Sequence, residues 1–254
     1  MYVNEQAHER QTLALRPCFT RRKALPFPDT PFQMERTVQS EYESLAQSIR
    51  QCSACSFRNS RIEPLPPALT PVPVSIMFVG ENPSWAKEQR IPFTESTPSG
   101  QALEENYLRL LQLSRSEVWI TDLFKCRYPK RVYDAKTQHG REIQKVAEIC
   151  SRLWLLREIE FAKPKVVVTL ADKEVYQRLR RAFGLPTPQA FADAVGKPHQ
   201  VTLGGLSVTL FPMVHPDISR PLGQGDQRKT NAREKWAPIH QQEHIPALKK
   251  VLQK

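Results

Sequence analysis

The chain has 254 residues, of which 40% are hydrophobic and 8% aromatic, with 37 Lys+Arg against 26 Asp+Glu for a net charge of +11. That length suits one large α/β domain with a sizeable core, or a domain carrying extensions. No apolar run is long enough to span a bilayer, and the N-terminus "MYVNEQAHERQTLALRP" is too polar for a signal peptide, so a cytoplasmic protein is expected. The basic excess fits a polyanionic partner, because each neutralised phosphate releases counterions.

Residues 1 to 40 read as a basic, loosely structured N-terminal extension, since "RRK" and "LPFPDTPF" carry no helical or strand period. From Glu41, "EYESLAQSIRQCSAC" predicts a short amphipathic helix ending in a cysteine pair. "EPLPPALTPVP" is a connector that can form neither helix nor central strand. Four apolar runs follow: "SIMFVG" (Ser75 to Gly80), "VWITDLF" from Val118, "KVVVTL" (Lys165 to Leu170) and "LSVTLFPMVHP" (Leu206 to Pro216). Between and after them, helices are expected around Gly100 to Leu113, Arg141 to Ile159, Asp172 to Ala182, and from about Asn231 to the end. Short β-rich runs alternating with helices predict an α/β fold with a parallel sheet covered on both faces. Ligands bind such sheets outside the carboxyl ends of the strands. The residues with chemistry to offer fall there: Gly80, Glu81 and Asn82 after the first run, Asp122 in the second and His215 after the fourth.

Cys52 and Cys55 form a CxxC pair, Cys126 and Cys150 are single, and Cys18 lies alone in the extension. In a cytoplasmic protein such a pattern points to metal or redox chemistry rather than disulfides. Four thiolates suit either zinc or a [4Fe–4S] cluster, and spacing alone does not separate them.

Five motifs occur in order: "VGENPS", "IPFTESTPSGQAL", "VWITDLFKCRYP", "PKVVVTLA" and "VHPDISR". With the cysteines they resemble the uracil-DNA glycosylase superfamily, in particular its thermostable iron–sulfur branch, over roughly Cys52 to the C-terminus. The resemblance implies a three-layer αβα fold around a four-stranded parallel sheet, forming one catalytic domain over 41–254. It also implies a structural [4Fe–4S] cluster on Cys52, Cys55, Cys126 and Cys150. The longer interval between the last two leaves room for a basic insertion, "RYPKRVYDAKTQHGR". DNA, single- or double-stranded, is the implied partner, with no membrane and a monomeric chain.

The same resemblance assigns roles. His215 matches a histidine that hydrogen-bonds the base O2. Asn82 orients the attacking water, and Glu81 polarises that water or pairs structurally. Phe93 stacks on the flipped base, with Gly80 and Ser84 beside it. Ile218, Ser219 and Arg220 match the loop that wedges into the duplex, which "PLGQGDQRKTNAR" extends. Lys125 and Arg127 add phosphate contacts. No lysine is placed as a Schiff-base nucleophile, so a monofunctional glycosylase is expected.

One departure matters most. Uracil-specific relatives carry asparagine where this chain has Asp122. A carboxylate cannot donate to uracil O4, whereas a protonated carboxyl accepts from cytosine N4–H and donates to N3, and an ionised one accepts from N4 while cytosine N3 carries the proton. The substitution therefore predicts a cytosine-type base, modified and in foreign DNA, because excising ordinary cytosine would destroy the host genome. Small Ser84 is compatible with a C5 substituent. The competing expectations are an ordinary uracil-DNA glycosylase of base-excision repair and a catalytically silent iron–sulfur DNA-binding module. A zinc domain of unrelated function is a third.

Overall fold

The computed structural model describes residues 31–55, 63–83, 91–127, 138–219 and 230–253. Ile76–Gly80 (β1), Trp119–Asp122 (β2) and Val166–Leu170 (β3) are buried at every position. Continuous apolar runs of this kind are what a parallel sheet needs when helices cover both of its faces. His199–Leu203 (β4) and Leu206–Met213 (β5) complete a five-stranded sheet in the order β2-β1-β3-β5-β4. All neighbours are parallel except β4, which pairs antiparallel with β5. The three-layer α/β fold is as expected, but the sheet has one strand more than the four expected. The extra strand is amphipathic and lies at the edge, with exposed and buried residues alternating along its second half. A two-residue turn, Gly204 (φ 59°) and Gly205 (φ 80°), folds it back onto β5. Both turn residues need the left-handed region that glycine enters without penalty.

The helices are Pro31–Arg50 (α1), 98–111 (α2), 138–162 (α3), 172–183 (α4), Phe191–Ala194 (α5) and 230–252 (α6). Helix α1 begins at Pro31, which corrects the expectation that everything before Glu41 is loose. Residues 1–30, including Cys18, lie outside the described residues, as do most of the basic insertion and of the loop after Ser219. Alternation along β1 divides the core. Met77 and Val79 face one cluster with Ile49, Ala147, Trp154 and Leu179 from α1, α3 and α4. Ile76 and Phe78 face the other, with Leu103, Tyr107 and Leu248 from α2 and α6. No described helix is long and apolar enough to cross a membrane.

Register decides what the sheet presents. Gly80 pairs with Asp122, Val79 with Thr169, and Leu170 with Met213. The carboxyl ends of β1, β2, β3 and β5 therefore open on one edge, and every candidate catalytic residue follows one of them.

Candidate active site

At that edge Gly80, Phe93 and Asp122 touch. A Cβ on Gly80 would stand 2.2 Å from Phe93 Cε2 and 2.5 Å from Asp122 Oδ1, so only glycine admits both side chains. Phe93 is buried and holds a left-handed φ of 52°, a conformation that costs a bulky residue energy and persists only where its surroundings enforce it.

Asp122 is 2% exposed, and its Oδ2 has no hydrogen-bond partner among the described residues. Burial raises its carboxyl to about 7; the Lys125 ammonium opposes this, and the Glu81 and Glu158 carboxylates reinforce it. The group thus sits at the boundary between carboxylic acid and carboxylate near neutral pH.

Lys125 corrects an expectation. It is 1% exposed, with its ammonium 2.6 Å from Glu158 Oε1, and it donates to Thr121 Oγ1 (2.7 Å) and the Asp122 carbonyl (2.6 Å). It fastens the end of β2 to α3 from inside and cannot reach a phosphate. Arg127 is 2% exposed, so it too is withdrawn from the surface on which phosphates would lie. Ser219 is fully buried and donates to the Pro216 carbonyl at 2.6 Å, which excludes it as a wedge; Ile218 beside it is half-buried. Ser84 and Arg220 lie outside the described residues.

His215 caps a short 3₁₀ turn, Pro216–Ile218, where its Nδ1 accepts from the Asp217 N–H at 3.2 Å. An accepting Nδ1 puts the proton of a neutral imidazole on Nε2, leaving that nitrogen as a donor. Two buried groups hold the segment. The Tyr107 hydroxyl donates to the Val214 carbonyl, and Arg233 Nε donates to the Asp217 carbonyl at 2.8 Å.

Glu81 shares a cleft of ≈ 640 Å³ with His215, Ala171 and Asp172. Its carboxylate accepts from Arg178 at 3.2 Å, and that guanidinium lies 5.2 Å from the Phe124 ring centroid. Asn82 is half-buried beside it, with its amide donating to the Pro83 carbonyl at 3.0 Å. Arg178 and the Asp172 wall were not singled out in the sequence; their only signal was position, at and after the carboxyl end of the third apolar run.

None of the four candidate ligand cysteines is in a disulfide. Burial, with Cys55 and Cys126 near by, pushes the Cys150 thiol up to about 12. The Trp154 indole, one turn beyond Cys150, donates to Cys52 Sγ at 3.2 Å. All four thus lie near one stretch of α3, and four thiols are the donor chemistry of a Cys₄-bound group. Among the described residues no group of three or more His, Cys, Asp or Glu side chains is placed to hold a metal ion.

Comparison with known proteins agrees with this architecture. The family model described as the uracil DNA glycosylase superfamily matches residues 66–237. A type-4 uracil-DNA glycosylase from Saccharolobus solfataricus is 25% identical over 179 residues, covering 68% of this chain and 74% of its own. One from Sulfurisphaera tokodaii is 26% identical over 179 residues (68% and 73%). One from Archaeoglobus fulgidus is 25% identical over 175 residues (68% and 80%). A matched span that takes in β1 through the start of the last helix, with the candidate residues at one sheet edge, makes the chain a member of the uracil DNA glycosylase superfamily and a DNA glycosylase of the N-glycosyl hydrolase class.

Proposed function

We propose that this enzyme excises a modified cytosine-type base from foreign DNA, leaving an abasic site. The observation that carries the reading is Asp122: a buried carboxyl whose Oδ2 lacks a partner among the described residues, raised to about 7, in register with Gly80 and against Phe93. An unpartnered buried oxygen costs about 1–3 kcal/mol unless a ligand satisfies it. In its protonated form the carboxyl offers one acceptor and one donor, the complement of cytosine N4–H and N3. An ionised Asp122 would instead accept from N4 while N3 carries the proton.

The remaining roles follow from charge development. As the glycosidic bond breaks, the sugar becomes cationic and the base anionic, and a donor aimed at the base oxygen is worth several kcal/mol. His215 Nε2–H would supply that donor to O2 without surrendering a proton. Asn82 would orient water toward the anomeric carbon, a centre electrophilic enough to need no strong base. Glu81, committed to Arg178, serves the site as a fixed negative charge beside that water rather than as a mobile base. Phe93 would stack on the flipped base. Cys52, Cys55, Cys126 and Cys150 would hold a [4Fe–4S] cluster, which supplies a structural brace behind the end of β2. DNA is the partner.

A second reading is favoured by the activity for which the relatives are named: release of uracil, with Asp122 protonated and tolerated. A base-release assay separates the two. Oligonucleotides carrying uracil, cytosine or 5-hydroxymethylcytosine are incubated with the enzyme, and freed bases are identified by mass spectrometry. Release of a cytosine derivative without uracil supports the cytosine reading; release of uracil alone overturns it.

A further inference from the structure

The cleft beside the catalytic edge is larger and differently lined than a single-ring base requires. Its ≈ 640 Å³ falls in the range of about 300–1,000 Å³ that takes a drug-sized ligand. Beyond Glu81 and His215 its wall carries Asp172, Glu174 and Asp217, together with Phe191 and Trp236. None of the described residues lining it is a lysine or arginine, although the chain as a whole carries +11. Asp172, Glu174 and Asp217 would repel a phosphate, so the chemistry of the described wall does not suit the DNA backbone.

The two aromatic rings stand 6.4 Å apart at 66°, forming an angled apolar wall opposite acceptor-only groups. In the wall, Ala171 holds φ 141° and ψ 162°, a region nearly closed to residues with a Cβ. It is tied there by its N–H donating to the Met213 carbonyl at 3.1 Å. Strain of this kind collects at ligand clamps. Flat aromatic faces beside carboxylate acceptors suit a neutral group with many hydroxyl donors and flat C–H faces.

We infer that this cleft is a subsite for a hexosyl substituent carried by the target base, with Trp236 and Phe191 contacting the sugar ring and Asp172, Glu174 and Asp217 accepting from its hydroxyls. The inference rests on the cytosine-type reading of Asp122 and extends it: the base edge is read at β2, the substituent in the cleft. A glycosylated base is then the preferred substrate, and the bulk that would exclude it from a closed pocket becomes a source of affinity.

The test compares kcat/KM for release of 5-hydroxymethylcytosine and of its glucosylated form from otherwise identical oligonucleotides. The wild-type enzyme is expected to favour the glucosylated base by at least about tenfold, the low end of what differential contacts to a substrate group supply. Trp236→Ala and the near-isosteric Asp172→Asn should each bring that ratio toward one. Because the ratio is taken within one protein preparation, partial misfolding of a variant does not alter it. Equal release of both bases by the wild type overturns the subsite while leaving the cytosine reading intact. A wild-type preference that neither variant reduces also overturns the subsite. Release of uracil and of neither cytosine derivative overturns both.

Discussion

Replacing Asp122 with asparagine tests the site and its energetics together. The folded-state carboxyl lies at about 7 against an ordinary value of 3.8. Below pH 3.8 the group is protonated whether the chain is folded or not. Between 3.8 and about 7 the unfolded chain releases the proton and the folded chain keeps it, so stability falls as pH rises, levelling off above 7. At about 1.36 kcal/mol per unit, the wild-type protein loses roughly 3 kcal/mol to this group between pH 5 and pH 8. Asp122→Asn removes that slope, while every other titrating group contributes alike to both proteins. Urea unfolding at the two pH values should therefore show the variant gaining about 3 kcal/mol relative to wild type on going to pH 8. The same substitution reverses the edge presented to the base. An amide that donates to O4 and accepts from N3–H suits uracil, and the mismatch with cytosine costs about 1–3 kcal/mol, or roughly 5- to 150-fold in kcat/KM. Two results refute the reasoning. An unchanged stability slope means that Asp122 does not hold the proton, and an unchanged base preference means that it does not read the base.

Other perturbations address the rest of the edge. His215→Ala should lower kcat by about 10²–10³ while DNA affinity in a salt titration is retained, as for loss of one oxyanion donor. Gly80→Ala places a methyl within 2.2 Å of the Phe93 ring and should abolish base release at a stability cost of about 1–3 kcal/mol from overpacking. Lys125→Met strands the fully buried Glu158 carboxylate and should cost about 3–5 kcal/mol in urea unfolding; a phosphate-binding lysine would instead change only the salt dependence of DNA binding. Cys150→Ser should remove both violet absorbance and bound iron, measured by chemical analysis per chain, because a Cys₄ set loses one of its ligands.

The gross architecture was legible in the residues because it rests on local signals. Continuous Val, Ile, Leu and Phe runs of strand length, rich in β-branched residues, read as strands covered on two faces, and the helical stretches between them supply the cover. The edge strand was missed, although "VTLGGLSVTL" carries the Gly-Gly turn between alternating segments that marks a hairpin. Its half-exposed pattern is weaker than that of the interior strands. The motif residues Gly80, Glu81, Asn82, Asp122 and His215 were likewise legible, since each follows a strand at the end where α/β sheets bind ligands.

What sequence could not decide was direction and environment. Lys125 and Arg127 read as phosphate contacts because charge on a chain of +11 suggests a surface, and only packing shows both turned inward, Lys125 to meet Glu158 from a helix 33 positions away. The raised carboxyl of Asp122 is a property of burial, which no residue carries in itself. The acidic, aromatic cleft joins β1, α4, α5, β5 and α6, elements scattered from Glu81 to Trp236 that share no motif. The sequence by itself determined a glycosylase-like sheet and an unusual acid at its reading edge. The tertiary structure alone determined that this acid is buried against Gly80 and Phe93 and that Glu81 and His215 share an acidic, aromatic cleft, because burial and long-range proximity exist only once the strands are in register.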